Sequence, residues 1–177
     1  MDIRSRIVSR KIVFVYFYQK CFIEYLWNED ILFNDILKIE KVVNWTELSE
    51  ADVDAIKSSI KSFYSFEDLE EDVLYIFDNF FAKPGFNIDF DYVRKMIVWY
   101  AEYKDELKEL VDKYAETFNY DEMDIIDKTI FLLWYIENQV FWTPKKIILN
   151  EMIMLSKKYW DESSYKLINW IWHKIIN

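Results

Sequence analysis

The 177-residue chain holds one glycine, two prolines, one cysteine and one histidine. Each shortage removes a class of chemistry. A single glycine, Gly85, excludes the GxGxxG and Walker loops in which backbone amides cradle phosphates. With His173 alone, neither HExxH nor a multi-histidine metal centre can be assembled, and Cys21 has no CxxC partner and no intramolecular disulfide. The longest obvious apolar run, Ile12 to Tyr18, is too short to span a bilayer, and no small-residue cleavage site follows it. The expectation is a cytoplasmic, non-catalytic protein with no membrane partner, no cofactor and no metal. Asp89 with Asp91, and Asp121 with Glu122 and Asp124, read as acidic helix starts and not as metal ligands.

What is abundant points to helices. Hydrophobic residues make up 53% of the chain and aromatics 20%, enough for a packed interior, and the scarcity of breakers favours long helices. The fold class expected is all-α. The first helix is expected from about Ile3 to Tyr25, apolar on nearly every side and therefore buried between neighbours. Weaker candidates follow at 30–43, 49–64 and 66–81, with Ser49-Glu50-Ala51-Asp52 as a capped start. Clearer ones are expected at 91–103, 105–117, 121–138, 144–158 and 162–176. The stretch Ile125 to Ile136 marks a central helix packed on several sides, and Thr143-Pro144 has the residue types of an N-cap and first helical position. Lys83-Pro84-Gly85 separates two halves.

Net charge is -10, which by itself argues against a nucleic-acid partner, because phosphate binding needs positive potential. The distribution argues otherwise. Residues 1–20 carry Arg4, Arg6, Arg10, Lys11 and Lys20 against Asp2, and the stretch from Thr143 onward carries Lys145, Lys146, Lys157, Lys158, Lys166 and Lys174 against Glu151, Asp161 and Glu162. Basic ends on an acidic body fit an RNA contact confined to one face; a solvated charge pattern would look similar. Arg6 and Arg10 share one helical stripe, with Arg4 and Lys11 on another. The acidic run Glu67-Asp68-Leu69-Glu70-Glu71-Asp72 reads as a solvated helix face.

Two stretches in the right order resemble a known family. The last third runs Thr143-Pro144-Lys145-Lys146, Leu149-Asn150-Glu151, Ser156-Lys157-Lys158-Tyr159, then Ser163-Ser164-Tyr165-Lys166-Leu167-Ile168-Asn169. It resembles the NusB signature of proline, lysine, "INEA", "ELAKKFG" and "SxKFVNG". The opening, Ser5-Arg6-Ile7-Val8-Ser9-Arg10-Lys11 leading to Phe17-Tyr18-Gln19, is similar to the family's arginine-rich start running into "ALYQ". The resemblance implies a NusB-like fold of two packed helical subdomains: 1–85, enlarged by an acidic insertion, and a C-terminal bundle at 86–177. It implies antitermination and ribosomal RNA synthesis, through single-stranded boxA-type RNA bound together with NusE, a small-subunit ribosomal protein, on the transcribing RNA polymerase complex. RNA contacts would fall on Arg6 and Arg10, supported by Arg4 and Lys11; arginine suits them through its planar fork and its capacity to stack on bases. NusE contacts would fall on Tyr18, Asp127, Tyr159, Ser163 and Leu167. Ser163 stands where many members have aspartate, and Leu167 where phenylalanine is usual. Alternatives are a protein-interaction scaffold working through its acidic middle, and another ribosomal-RNA-binding module on the same fold.

Eight tryptophans beside one glycine are a further anomaly. Trp99, Trp134, Trp160 and Trp170 fall where the family pattern places glycine. The reading is that they are UGA codons, translated as tryptophan but decoded as glycine in the source lineage. The alternative is that they are true core aromatics with compensating changes around them.

Overall fold

The computed structural model describes residues 3–28, 69–115 and 118–159, with positions 49, 51, 52, 55, 58 and 174 in addition, and for 26–28 and 159 the backbone alone. Among the described residues the regular structure is entirely helical: α1 Ile3–Asn28, α2 Leu69–Phe80, α3 Phe90–Val98, α4 Tyr100–Tyr114, a 3₁₀ turn Tyr120–Glu122, α5 Ile125–Phe141 and α6 Lys145–Tyr159. The all-α expectation holds. The helices expected at 30–43 and 162–176, and most of 49–64, lie outside the described residues. Ser49 does form a capped start: its amide donates to Asp52 Oδ2 at 2.9 Å and the Asp52 amide donates back to Ser49 Oγ at 3.2 Å.

Two helices form the centre. Every residue from Ile130 to Glu137 is buried, so α5 is enclosed on all sides, by α1, α3, α4 and α6. On α1, Val8, Ile12, Val13, Phe14, Tyr16, Phe17 and Cys21 are buried, more than one helical stripe can hold, as its all-round apolar sequence requires. It packs on α5, α3 and α2. Phe17 meets Tyr100 at a centroid distance of 4.9 Å, and Tyr92 meets Phe141 at 4.9 Å.

Helix boundaries differ from expectation in three places. The break expected near Lys104 falls at Trp99, which closes α3 and opens α4 at φ -89°, ψ 2°. Asp89 starts α3 by accepting the Tyr92 amide at 3.1 Å, and Lys104 lies inside α4, where it reaches Glu24 while Glu106 accepts the Tyr135 hydroxyl. The helix expected from Asp121 begins at Ile125, because Asn119 and Glu122 close their own reciprocal cap and Asp124 then caps Ile126 at 2.9 Å. The last helix begins at Lys145, with Pro144 and not Thr143 as the residue before it: the Pro144 carbonyl receives the first amides of α6, and Thr143 donates its hydroxyl to Glu137 at 3.1 Å instead of capping.

One buried carboxylate links the central elements. Glu137, 3% exposed, accepts Arg10 Nε at 2.8 Å and Nη2 at 2.7 Å, the Tyr92 hydroxyl at 2.9 Å and the Thr143 hydroxyl at 3.1 Å. Nearby, Ser9 Oγ accepts the Asp89 amide at 2.8 Å, tying α1 to the start of α3.

Of the four tryptophans at glycine positions, Trp134 is 2% exposed in the core, Trp99 is 37% exposed at the α3–α4 junction, and Trp160 and Trp170 lie outside the described residues. A different tryptophan occupies glycine's conformation. Trp142 ends α5 at φ 53°, ψ 30° and is 87% exposed. Left-handed backbone costs an L-residue about 1–2 kcal/mol, which glycine avoids.

Three outcomes are expected. Trp142→Gly raises unfolding stability by about 1 kcal/mol in urea denaturation, since the ring buries little surface. Glu137→Ala lowers it by about 3–5 kcal/mol, because the Arg10 charge is left buried without its counter-ion. Reading the codons at Trp99, Trp134, Trp160 and Trp170 checks the recoding: UGA is expected, and UGG at all four rules it out.

Candidate nucleic-acid interface

The cations of α1 divide into two sets with different work. Arg10 carries a guanidinium only 14% exposed, locked on Glu137 with Glu151 4.0 Å away. Burial pulls its pKa down, but the hydrogen bonds and negative charge of Glu137 outweigh that and raise it above the ordinary value, so it stays charged. Arg6, 16% exposed, pairs with Asp89 at 3.3 Å and lies over Tyr92 at 4.1 Å and Phe141 at 4.9 Å. Both arginines named as leading RNA contacts are thus built into the junction of α1, α3 and α5. The shared stripe seen in the sequence is real, and it faces protein.

Arg4 and Lys11 occupy another face and line a cleft of about 300 Å³ with Ile7, Val8, Phe80, Phe81, Lys83, Phe86 and Lys158. Three parts of the chain supply it: the start of α1, the turn between α2 and α3, and the end of α6. In a chain of net charge -10, its described lining carries four cations and no carboxylate. The α2–α3 turn is built for this. The Phe86 amide donates to the Lys83 carbonyl at 3.0 Å, with Pro84 and Gly85 between them and Gly85 at φ 81°. That is proline-then-glycine turn chemistry, in which only the second position needs positive φ. It turns the chain so that Lys83, Phe81 and Phe86 all edge the cleft. Phe80 stands at the rim, 61% exposed.

In the sequence, Lys83-Pro84-Gly85 marks only a break between halves, and Phe80, Phe81 and Phe86 beside it carry no signal of a site. Contact with α1 and α6 gives them meaning, and spacing along the chain does not encode that contact.

The residues expected to meet a protein partner are less gathered. Tyr18 is half-buried and stacks on Phe22 at 6.1 Å. Asp127 is 5% exposed in the first turn of α5. Tyr159 ends α6, and Ser163 and Leu167 lie outside the described residues. A second cleft, about 270 Å³, lies farther along α1 between Cys21, Glu24, Tyr25, Lys104, Lys108, Tyr120, Asp121 and Lys128. There Lys104 reaches Glu24, Lys108 meets Asp121 at 2.6 Å, and Lys128 donates to the Asp121 carbonyl at 2.8 Å, so each lysine has a partner. Burial pushes the pKa of the Cys21 thiol up, which keeps it protonated and unreactive. Among the described residues no cluster of metal-ligating side chains occurs, and no helix is long and apolar enough to cross a membrane.

Comparison with known proteins agrees with the architecture. The "NusB family" model matches residues 48–177, a stretch that takes in α2 to α6 and leaves α1 outside. Among curated relatives, the transcription antitermination protein NusB of Streptomyces griseus is 26% identical over 82 residues, covering 45% of this chain and 56% of that one. The protein of the same name from Staphylococcus epidermidis is 25% identical over 83 residues, 47% of this chain and 64% of that one. The one from Macrococcus caseolyticus is 32% identical over 73 residues, 41% of this chain and 56% of that one. In each case the chain spans less than two thirds of the relative's length. No solved structure matches significantly. With the family model spanning well over half of its residues, in a helical structure of the expected class, this chain belongs to the NusB family.

Proposed function

We propose that this protein acts in transcription antitermination and ribosomal RNA synthesis, binding single-stranded boxA-type RNA together with NusE and bringing both to the transcribing RNA polymerase complex. The observation that carries this reading is the cleft beside α1, whose described lining brings Arg4, Lys11, Lys83 and Lys158 together on an otherwise acidic protein. Family membership supports the same direction. Arg4 and Lys11 are the RNA-facing cations of α1; Arg6 and Arg10 serve by holding the helix against Asp89 and Glu137. Tyr18, Asp127, Tyr159, Ser163 and Leu167 are the proposed NusE-facing set.

The mechanism is assembly in the cytoplasm, without catalysis. A few phosphate contacts bind RNA weakly and with little sequence preference. When NusE reads the same strand, the second contact becomes intramolecular, and affinity and selectivity rise together.

Fluorescence anisotropy of boxA RNA against a scrambled control, with and without NusE at two salt concentrations, checks this reading. Tight, sequence-selective binding is expected only with NusE. Arg4→Ala and Lys11→Ala should each weaken it, with the salt slope falling by about 0.7 for each phosphate that is no longer neutralised. Equal binding to both RNAs, with and without NusE, would overturn the proposal.

A further inference from the structure

We propose that the turn between α2 and α3 forms a base-stacking site, in which the exposed ring of Phe80 takes one unpaired base of the RNA while Lys83 and its neighbours hold the adjoining phosphates. The inference rests on the RNA-binding reading above and adds to it a position where single-strandedness itself is recognised.

Three observations carry it. Phe80 is 61% exposed at the rim of the cleft, although it closes a helix whose Val73 and Ile76 are fully buried. Its ring lies 6.3 Å from that of Phe81 at 50°, so the two are tilted and not stacked on each other, and Phe80 keeps most of its surface accessible. The cleft beside it carries Arg4, Lys11, Lys83 and Lys158.

An apolar plane ringed by cations fits one ligand chemistry. A purely apolar partner would bury Lys11 and Lys83 against hydrocarbon, and a simple anion would have no use for the rings. A single-stranded nucleic acid offers both groups in alternation, a π-face and a phosphate along the backbone. A duplex does not, because its bases are already stacked on one another. The 3.0 Å hydrogen bond from Phe86 to Lys83, with Gly85 at φ 81°, fixes the turn before any ligand arrives, so little ordering cost falls on binding.

The test uses the full chain with NusE and a boxA RNA carrying 2-aminopurine at successive purine positions, with a duplex of the same sequence as control. For wild type, the fluorescence of one position should be quenched on binding. Phe80→Ala and Phe80→Leu should abolish that quench and weaken single-strand binding about 10-fold, Phe80→Trp should restore both, and duplex binding should not respond. Phe80 is exposed, so thermal denaturation should be nearly unchanged in these variants.

If wild type binds boxA RNA but the Phe80 variants bind equally and quench equally, the stacking site is wrong while the antitermination reading stands. Equal weakening on single strand and duplex would also overturn it, leaving a general electrostatic surface. If the variants lose NusE instead and keep RNA, the cleft belongs to the protein partner. Absence of selective RNA binding by wild type would remove the functional reading and this inference together.

Discussion

The buried carboxylate of Glu137 is the interaction on which the remaining structure depends. An isolated negative charge in the core would be costly, and it is tolerable here because its oxygens are surrounded by donors from Arg10, Tyr92 and Thr143. Those donors belong to α1, α3 and the link into α6, so satisfying one group sets the register of several elements at once. Burial, and then the charge of Glu137, raises the pKa of the Tyr92 hydroxyl well above the ordinary value, keeping its proton available for donation. The left-handed turn at Trp142 comes directly before Thr143, at the point where the chain must fold back on its own helix.

This arrangement divides the cations of α1 between two faces. Arg6 and Arg10 face Asp89, Glu137 and the rings of Tyr92 and Phe141, where charge and planarity both serve the fold. Arg4 and Lys11 project elsewhere along α1 and meet cations contributed by a turn and by the end of another helix. An acidic protein thereby gathers positive potential at one place without changing its net charge. Local potential governs phosphate recognition, so the total of -10 is compatible with an RNA-binding role.

Much of the helical architecture was legible along the chain. The all-round apolar pattern of Ile3 to Tyr25 and of Ile125 to Ile136 identified the two central helices, because period and composition register directly in sequence. Boundaries were less so. Nothing in Val98-Trp99-Tyr100 signals a break, and the junction depends on how α3 and α4 pack against α1 and α5. The candidate site was half legible: the basic character of α1 and the shared stripe of Arg6 and Arg10 could be read, but the carboxylates that this stripe meets, Asp89 and Glu137, lie far along the chain.

The sequence by itself determined that this chain is helical, that its two central helices are enclosed, that it can form no glycine-rich phosphate loop, CxxC pair or multi-histidine centre, and that its net positive charge lies towards its ends. These properties are local or compositional, and each follows from counts, periods and caps. Only the tertiary structure decided that Arg6 and Arg10 pair with Asp89 and Glu137, and that Phe80, Lys83 and Phe86 share a cleft with Arg4, Lys11 and Lys158. The physical reason is partner choice. A charged side chain is defined by the groups that surround it, and here those groups come from distant residues, as Asp89 does for Arg6 and Glu137, 127 positions away, does for Arg10.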